Sequence, residues 1–431
     1  MMRRYPQHGH ELFRKTSCLL TCLAVQSLLS TCTRMNRFEQ SDAFLPNLLR
    51  TRGGILKRVL ENADKHRLQL LYTQIDRDEG NKPQFRSYAY RVNTEHYFYP
   101  ASTVKLPAAI LSLEKLNRLN IPQLTKYTKL RIDSAFVNQT RVVHDSSALN
   151  GFASVAHYIK KIFLVSDNDA FNRLFEFLGQ KYLNETVHAK GYAKTQIIRR
   201  LSLPSTPEDN RHTNPVTFFE GDKTIYHQPP ASNPWNYKVE MVDIQQGKGF
   251  FKDGRLVKRA FDFSYSNYFP VREQQEMLRA LLFPEAVDPA KRFNLTPDDM
   301  RFLYRYMSML PRESVEPAYP DNVRYYDGYL KFFMFGDSKE RIPPNIRIFN
   351  KSGQAYGYMI DNAYIVDFDN KIEFLLTAVL QVNENEIYND DTYEYDEVGF
   401  PFLAELGRAI YEVERKRKRP RLPDLSRFDL H

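Results

Sequence analysis

Cysteine is nearly missing from this chain: of 431 residues only Cys18, Cys22 and Cys32 carry a thiol, and all three lie in the first 32 residues. The body beyond them has neither a disulfide framework nor a thiolate for metal or nucleophilic chemistry. The zinc-hydrolase pattern H-E-x-x-H is missing too, and the one close H-x-H pair, His8 and His10, stands in the same leading segment. No glycine-rich loop of the kind that cradles phosphate occurs. No metal and no cofactor is therefore expected, and function must come from serine, lysine, histidine and carboxylates. A basic body is also missing. The formal net charge is +9, but residues 1–37 hold +5 of it and residues 414–431 the other +4. A neutral body has no basic face for nucleic acid. The tail ERKRKRPR reads as a solvated helix end, favoured there by the helix dipole.

What is present is an ordinary globular composition, 42% hydrophobic and 26% charged, without repeats or low-complexity stretches. The leader has a basic start (Arg3, Arg4, Arg14, Lys15), then an apolar run from Cys18 to Leu29. That run is too short for a comfortable membrane span, and residues 1–32 read as a secretory signal peptide. Leu29-Ser30-Thr31-Cys32 is similar to a bacterial lipoprotein cleavage box, although Thr31 replaces the usual Gly, Ala or Ser. Lipidation of Cys32 and ordinary cleavage both stay open. Either implies export across the inner membrane, to the periplasm or as an outer-membrane lipoprotein whose one membrane contact is that anchor.

Hydrophobic periodicity gives a helix over about 45–66, strands over Leu68–Ile75 and Phe85–Val92, and one helix over 99–119. Another helix runs from about Asp167 to Leu178, stopped by Gly179, and two more follow: Val271–Leu282, and one capped by Thr296. Three strand-like runs begin at Ile346, and a helix from Phe402 to about Val413 closes the body. The expected fold class is α+β: a five-stranded antiparallel sheet with terminal helices on one face and an inserted, mostly helical lobe. The catalytic body spans 45–413, the basic tail 414–431. Residues 213–262, rich in Pro, Gly and aromatics with a hairpin turn at Lys252-Asp253-Gly254, read as an insertion or subdomain.

The 99–119 segment contains S-x-x-K twice, as Ser102/Lys105 and Ser112/Lys115. Ser102 follows Pro100 and falls in the first helical turn, near unpaired N–H groups and the positive dipole end, which favour a developing oxyanion. Lys105 lies on the same face. Ser112 is mid-helix, where the N–H groups are already used. Two further elements accompany the first pair: Ser166-Asp167-Asn168 just before a helix, and Lys351-Ser352-Gly353 at the end of a strand.

These three elements, in this order, resemble the signatures of the class A β-lactamases and penicillin-binding proteins. The resemblance covers about residues 45–413, without a counterpart for 213–262. It implies Ser102 as nucleophile, Lys105 as base, and Ser166 as proton relay to the leaving nitrogen. Lys351 and Ser352 would offer a cation and a hydroxyl to a substrate carboxylate, with Gly353 letting the strand approach the ligand. The oxyanion donors would be the backbone N–H groups of Ser102 and Gln354, and Asn168 would hold the substrate amide. Lys105 acts as base only when neutral, and burial together with Lys351 would lower its pKa from about 10.4.

The class A deacylation loop reads E-x-x-x-N. Here the corresponding stretch offers Glu208, with His212 four residues on, so Glu208 is a weak candidate for activating water. A competing Tyr265-Ser266-Asn267 ranks below Ser166 because no helix follows it at once. The function expected is a β-lactamase, with two others beside it: a D,D-peptidase of the penicillin-binding kind, or a non-catalytic surface lipoprotein. The expected partner is a small-molecule β-lactam or a peptidoglycan peptide, and a monomer is expected.

Overall fold

The structure, a computed structural model, describes residues 43–430. The expected signal segment, its three cysteines and the possible lipid anchor on Cys32 lie outside the described residues. Among those described, no helix is long and apolar enough to cross a membrane.

Gly53, at φ 72°, divides the first helical stretch into α1 (Phe44–Arg52) and α2 (Gly54–Glu61). The hairpin β1 (Gln69–Arg77) and β2 (Pro83–Tyr90) follows. After the lobe come α8 (Val271–Leu282), α9 (Pro297–Ser308), β6 (Ile346–Asn350), β7 (Gly353–Ala355), β8 (Tyr358–Asp367), β9 (Ile372–Gln381) and α10 (Phe400–Lys416). The sheet order is β6-β8-β9-β1-β2, antiparallel throughout, with β7 also paired to β8. The first of the strand-like runs expected from Ile346 is thus two strands, broken at Lys351-Ser352. Every residue of β8 and β9 is buried, because helices cover both faces. α1, α2 and α10 pack on one face, and α8 with the lobe on the other.

The lobe is built around α3 (Lys105–Leu119), of which eleven residues are buried, as suits a helix enclosed on nearly all sides. Around it stand α4 (Val155–Val165), α5 (Asn168–Leu178) and α6 (Gln180–Ala189). The lobe also holds an unexpected three-stranded sheet, β3 (Lys129–Ile132), β4 (Val216–Glu220) and β5 (Lys223–Gln228). Residues 213–262 therefore do not form one body. Their first part completes the lobe sheet, while the hairpin 249–257, turning at Asp253 and Gly254 with φ 51° and 73°, pairs with Ile387–Tyr388.

The basic tail is solvated only in part: Arg415, Lys416, Lys418 and Arg421 are exposed, but the segment is anchored through Glu414. Glu414 is fully buried, and a carboxylate there must be paired. Arg417 Nε and Arg419 Nη2 supply the charge at 2.9 and 2.5 Å. Beyond them Phe428 enters the core, its ring 4.9 Å from that of Tyr364 and 5.4 Å from that of Phe349. Replacing Phe428 by Ala is expected to cost about 3–5 kcal/mol, read as a lower urea midpoint.

Candidate active site

Between β2 and α3 the chain passes through buried Tyr97, Phe98 and Tyr99 to Pro100. Residues Ala101–Val104 form a 3₁₀ turn, and the α-helix proper begins only at Lys105. Thr103 fastens the turn, its N and Oγ1 donating to Pro100 O at 3.2 and 2.7 Å. In a 3₁₀ turn residues i and i+3 eclipse, which brings Lys105 Nζ to 2.8 Å from Ser102 Oγ. Ala101, just before the serine, is held at φ 48°, a left-handed conformation that stores strain at this corner. The second S-x-x-K pair is structural. Ser112 Oγ donates to Ala108 O at 2.7 Å, and Lys115 binds Gln228 Oε1 at 2.7 Å and Phe177 O.

Ser166 sits between α4 and α5, itself left-handed at φ 56° as the end of α4, while Asp167 caps α5 by accepting from Ala170 N at 2.8 Å. This corner wraps Lys105. Its Nζ donates to Ser166 O at 2.5 Å and Asn168 Oδ1 at 2.6 Å, and lies 3.2 Å from Ser166 Oγ. The carbonyl oxygens can only accept. A neutral amine has two N–H bonds and one lone pair, so both protons are taken and the lone pair is left for the Ser102 hydroxyl. Burial pushes the Lys105 ammonium well below its ordinary pKa and the nearby Lys351 charge lowers it further, against a smaller opposing pull from Asp167.

Lys351 closes the triangle from the sheet, Nζ donating to Ser166 Oγ at 2.9 Å and to Ser352 O at 2.7 Å. Burial brings its pKa down to about 7, opposed by Asp361. Below it lies a network without a local sequence signal. Lys331 Nζ donates to Met307 O, Ile348 O and Asn350 Oδ1 at 2.6, 2.9 and 2.8 Å. Asn350 Nδ2 in turn donates to Asp361 at 2.8 Å.

Residues 55–229 match the model described as "Beta-lactamase enzyme family". That stretch contains Ser102, Lys105 and Ser166-Asp167-Asn168, and the sheet adds Lys351 to them. Over residues 55–229 the chain is similar to the β-lactamase enzyme family, and a serine hydrolase is what the match supports. No curated protein matches the chain. Solved structures similar to this chain include a β-lactamase from Xanthomonas campestris pv. campestris, with 16% identity, TM-score 0.44, and coverage of 83% of this chain and 96% of that one. PBP-A is similar at 15% identity and TM-score 0.47, covering 86% and 97%. The β-lactamase from Streptomyces albus G is similar at 15% and 0.44, covering 85% and 99%.

The other expected site residues divide. Gln354 and Asn168 line the same cleft as Ser102, a cavity of about 410 Å³. Ser352 does not line it: its hydroxyl donates to Leu330 O at 3.0 Å. Lys351, joined to Ser166 Oγ at 2.9 Å, is buried and does not line it either. Gly353 is tight against the Ala101–Val104 turn, since a Cβ there would lie 2.7 Å from Ser102 N.

Glu208 also faces away. It lies in the short helix α7 (Pro207–Arg211), 61% exposed, bound to Arg211 Nη1 at 2.6 Å and His212 Nε2 at 2.9 Å. Counted back from Asn210, which is buried and accepts from Arg200 N at 2.9 Å, the E-x-x-x-N pattern puts Thr206 where a glutamate would stand. The Thr206 hydroxyl is used in a reciprocal cap with Asp209. What this loop shows the cleft is Leu201 and Ser202, and Ser202 Oγ accepts from Asn168 Nδ2 at 2.7 Å. Asn267 of the competing Y-x-N motif is a buried brace, its Oδ1 accepting from Ile198 N and Arg199 N at 2.8 and 2.9 Å. Tyr265 does not line the cleft.

Proposed function

We propose that the protein is an acyl-transfer enzyme that opens β-lactam or peptidoglycan-type peptide amides through an ester on Ser102. The observation that carries the reading is the Lys105 amine held by two carbonyl acceptors with its free pair toward Ser102 Oγ. In the first step the Ser102 O–H bond breaks, its proton passes to Lys105 Nζ, and Oγ bonds to the substrate carbonyl carbon. The C–N bond then breaks, and the leaving nitrogen takes a proton from Ser166 Oγ, resupplied by the lysines it touches. Lys351, when charged, offers a cation to a substrate carboxylate without help from the Ser352 hydroxyl.

Deacylation needs a base for water, and Glu208 is turned outward while Ser202 stands beside Asn168. This favours a long-lived acyl-enzyme, the behaviour of a penicillin-binding peptidase, over fast β-lactam turnover. Intact-mass spectrometry with penicillin G tests both parts. The expected result is a mass increase of one whole penicillin, located on Ser102 and persisting for hours. A transient adduct with steady product release would return the reading to a β-lactamase. No adduct at all would remove acyl transfer. The basic, apolar leader supports a site of action beyond the inner membrane, in the periplasm or on the outer membrane.

A further inference from the structure

The cleft that holds Ser102 and Asn168 is also lined by Asn389, Asp391, Tyr393 and Tyr395, from the loop between the last core strand and α10. Among the described residues, β7 pairs with β8 alone, so its other edge is open to the cleft. A chain leaving Ser102 along that edge passes Gln354 and Ala355 and arrives at Tyr356. The loop is fastened there: Gly357 N donates to Tyr395 Oη at 2.8 Å. It is also tied to itself, Asn389 N donating to Tyr393 Oη at 2.9 Å, with the Tyr393 and Tyr395 rings 5.4 Å apart.

The chemistry of this end is one-sided. From Ile372 to Gly407 there is no Lys or Arg, while Asp390, Asp391, Glu394, Asp396 and Glu397 fall within one short stretch. No Lys or Arg lines the cleft here, and Asp391, exposed at φ 56°, has no ion-pair partner among the described residues. Arg199 influences Tyr99 and Tyr356 from outside the lining. Aromatic faces beside an unpaired carboxylate attract a cation and repel an anion.

We propose that this end of the cleft is a subsite for an ammonium group on the acyl side of the substrate, held by the Asp391 carboxylate against the rings of Tyr356, Tyr393 and Tyr395. The proposal rests on acyl transfer by Ser102 and adds the substrate class: an extended acyl donor with a free amine several bonds from the scissile carbonyl.

Ampicillin and penicillin G test it, because they differ only in an amino group on the acyl side chain. The readout is the ratio of their second-order rates of adduct formation, by intact mass, in the wild type and in Asp391→Asn. Asn tolerates the left-handed backbone at this position, so the variant keeps the loop geometry. The expected ratio is about tenfold in favour of ampicillin, falling to about one in the variant. A wild-type ratio of one, or a preference that survives in Asp391→Asn, overturns the subsite while leaving Ser102 chemistry standing. Failure of both penicillins to form an adduct overturns the acyl-transfer reading, and the subsite with it.

Discussion

Replacing Lys105 by methionine is expected to slow penicillin acylation of Ser102 by about 10²–10⁴-fold, the range for loss of a positioned general base. The substitution is chosen so that the fold survives. Lys105 is fully buried at the start of α3, and methionine keeps the unbranched length while removing the amine. Two carbonyls, Ser166 O and Asn168 Oδ1, would lose their donor, a cost of about 1–3 kcal/mol for unsatisfied buried acceptors. Circular dichroism and a urea midpoint separate that loss from the kinetic one. An acylation rate within threefold of wild type would assign the base elsewhere.

The pH dependence follows from the same geometry. In the proposed reaction Lys105 serves as base only as the neutral amine, and its pKa is held well below the ordinary lysine value, so acylation is expected to fall as pH drops through that lowered value. Lys351 contributes a charge only when protonated, and its pKa lies at about 7. For a substrate with a carboxylate, the rate therefore also falls as pH rises past about 7. A bell-shaped profile results, and Lys105→Met removes its acid limb.

Much of this site could be read from sequence because its parts are local. Asp167 caps the helix it precedes, Gly179 ends that helix at φ 77°, and Ser102 and Lys105 share a face through i, i+3 spacing. The misreadings share a different cause. Glu208 carries the right functional group, but Thr206 and Pro207 start a helix there, and its first turn points the side chain to solvent and His212. Ser352 reads as a ligand group because it stands next to Lys351, yet its hydroxyl is taken up by Leu330 O, a residue from another segment. The tail reads as solvated because Glu414 looks like one more exposed charge. Its burial against Tyr72, 342 residues away, has no trace in the local pattern. Lys331 and Asp361 were missed for the same reason: Asn350 joins them across three separate segments.

Gly353→Ala is the second substitution with a large expected effect, and it acts through one atom. The new Cβ would sit 2.7 Å from Ser102 N, 3.0 Å from Ala101 Cβ and 3.1 Å from Pro100 O. Two of these are backbone atoms, and Ala101 between them already holds a positive φ of 48°. No flexible side chain is available to give way, so either β7 or the serine turn must move. Overpacking of this kind costs about 1–3 kcal/mol of stability. The kinetic cost is larger, since a misplacement of about 1 Å in a catalytic group is worth about 10²-fold. The shift would also part the Ser102 and Gln354 backbone N–H groups, which the resemblance assigns to the oxyanion. A hundredfold slower adduct with penicillin G, in a variant whose urea midpoint drops only modestly, is the expected outcome. Wild-type acylation by Gly353→Ala would mean that β7 need not press on the nucleophile turn, and that the cleft tolerates a looser serine than its packing implies.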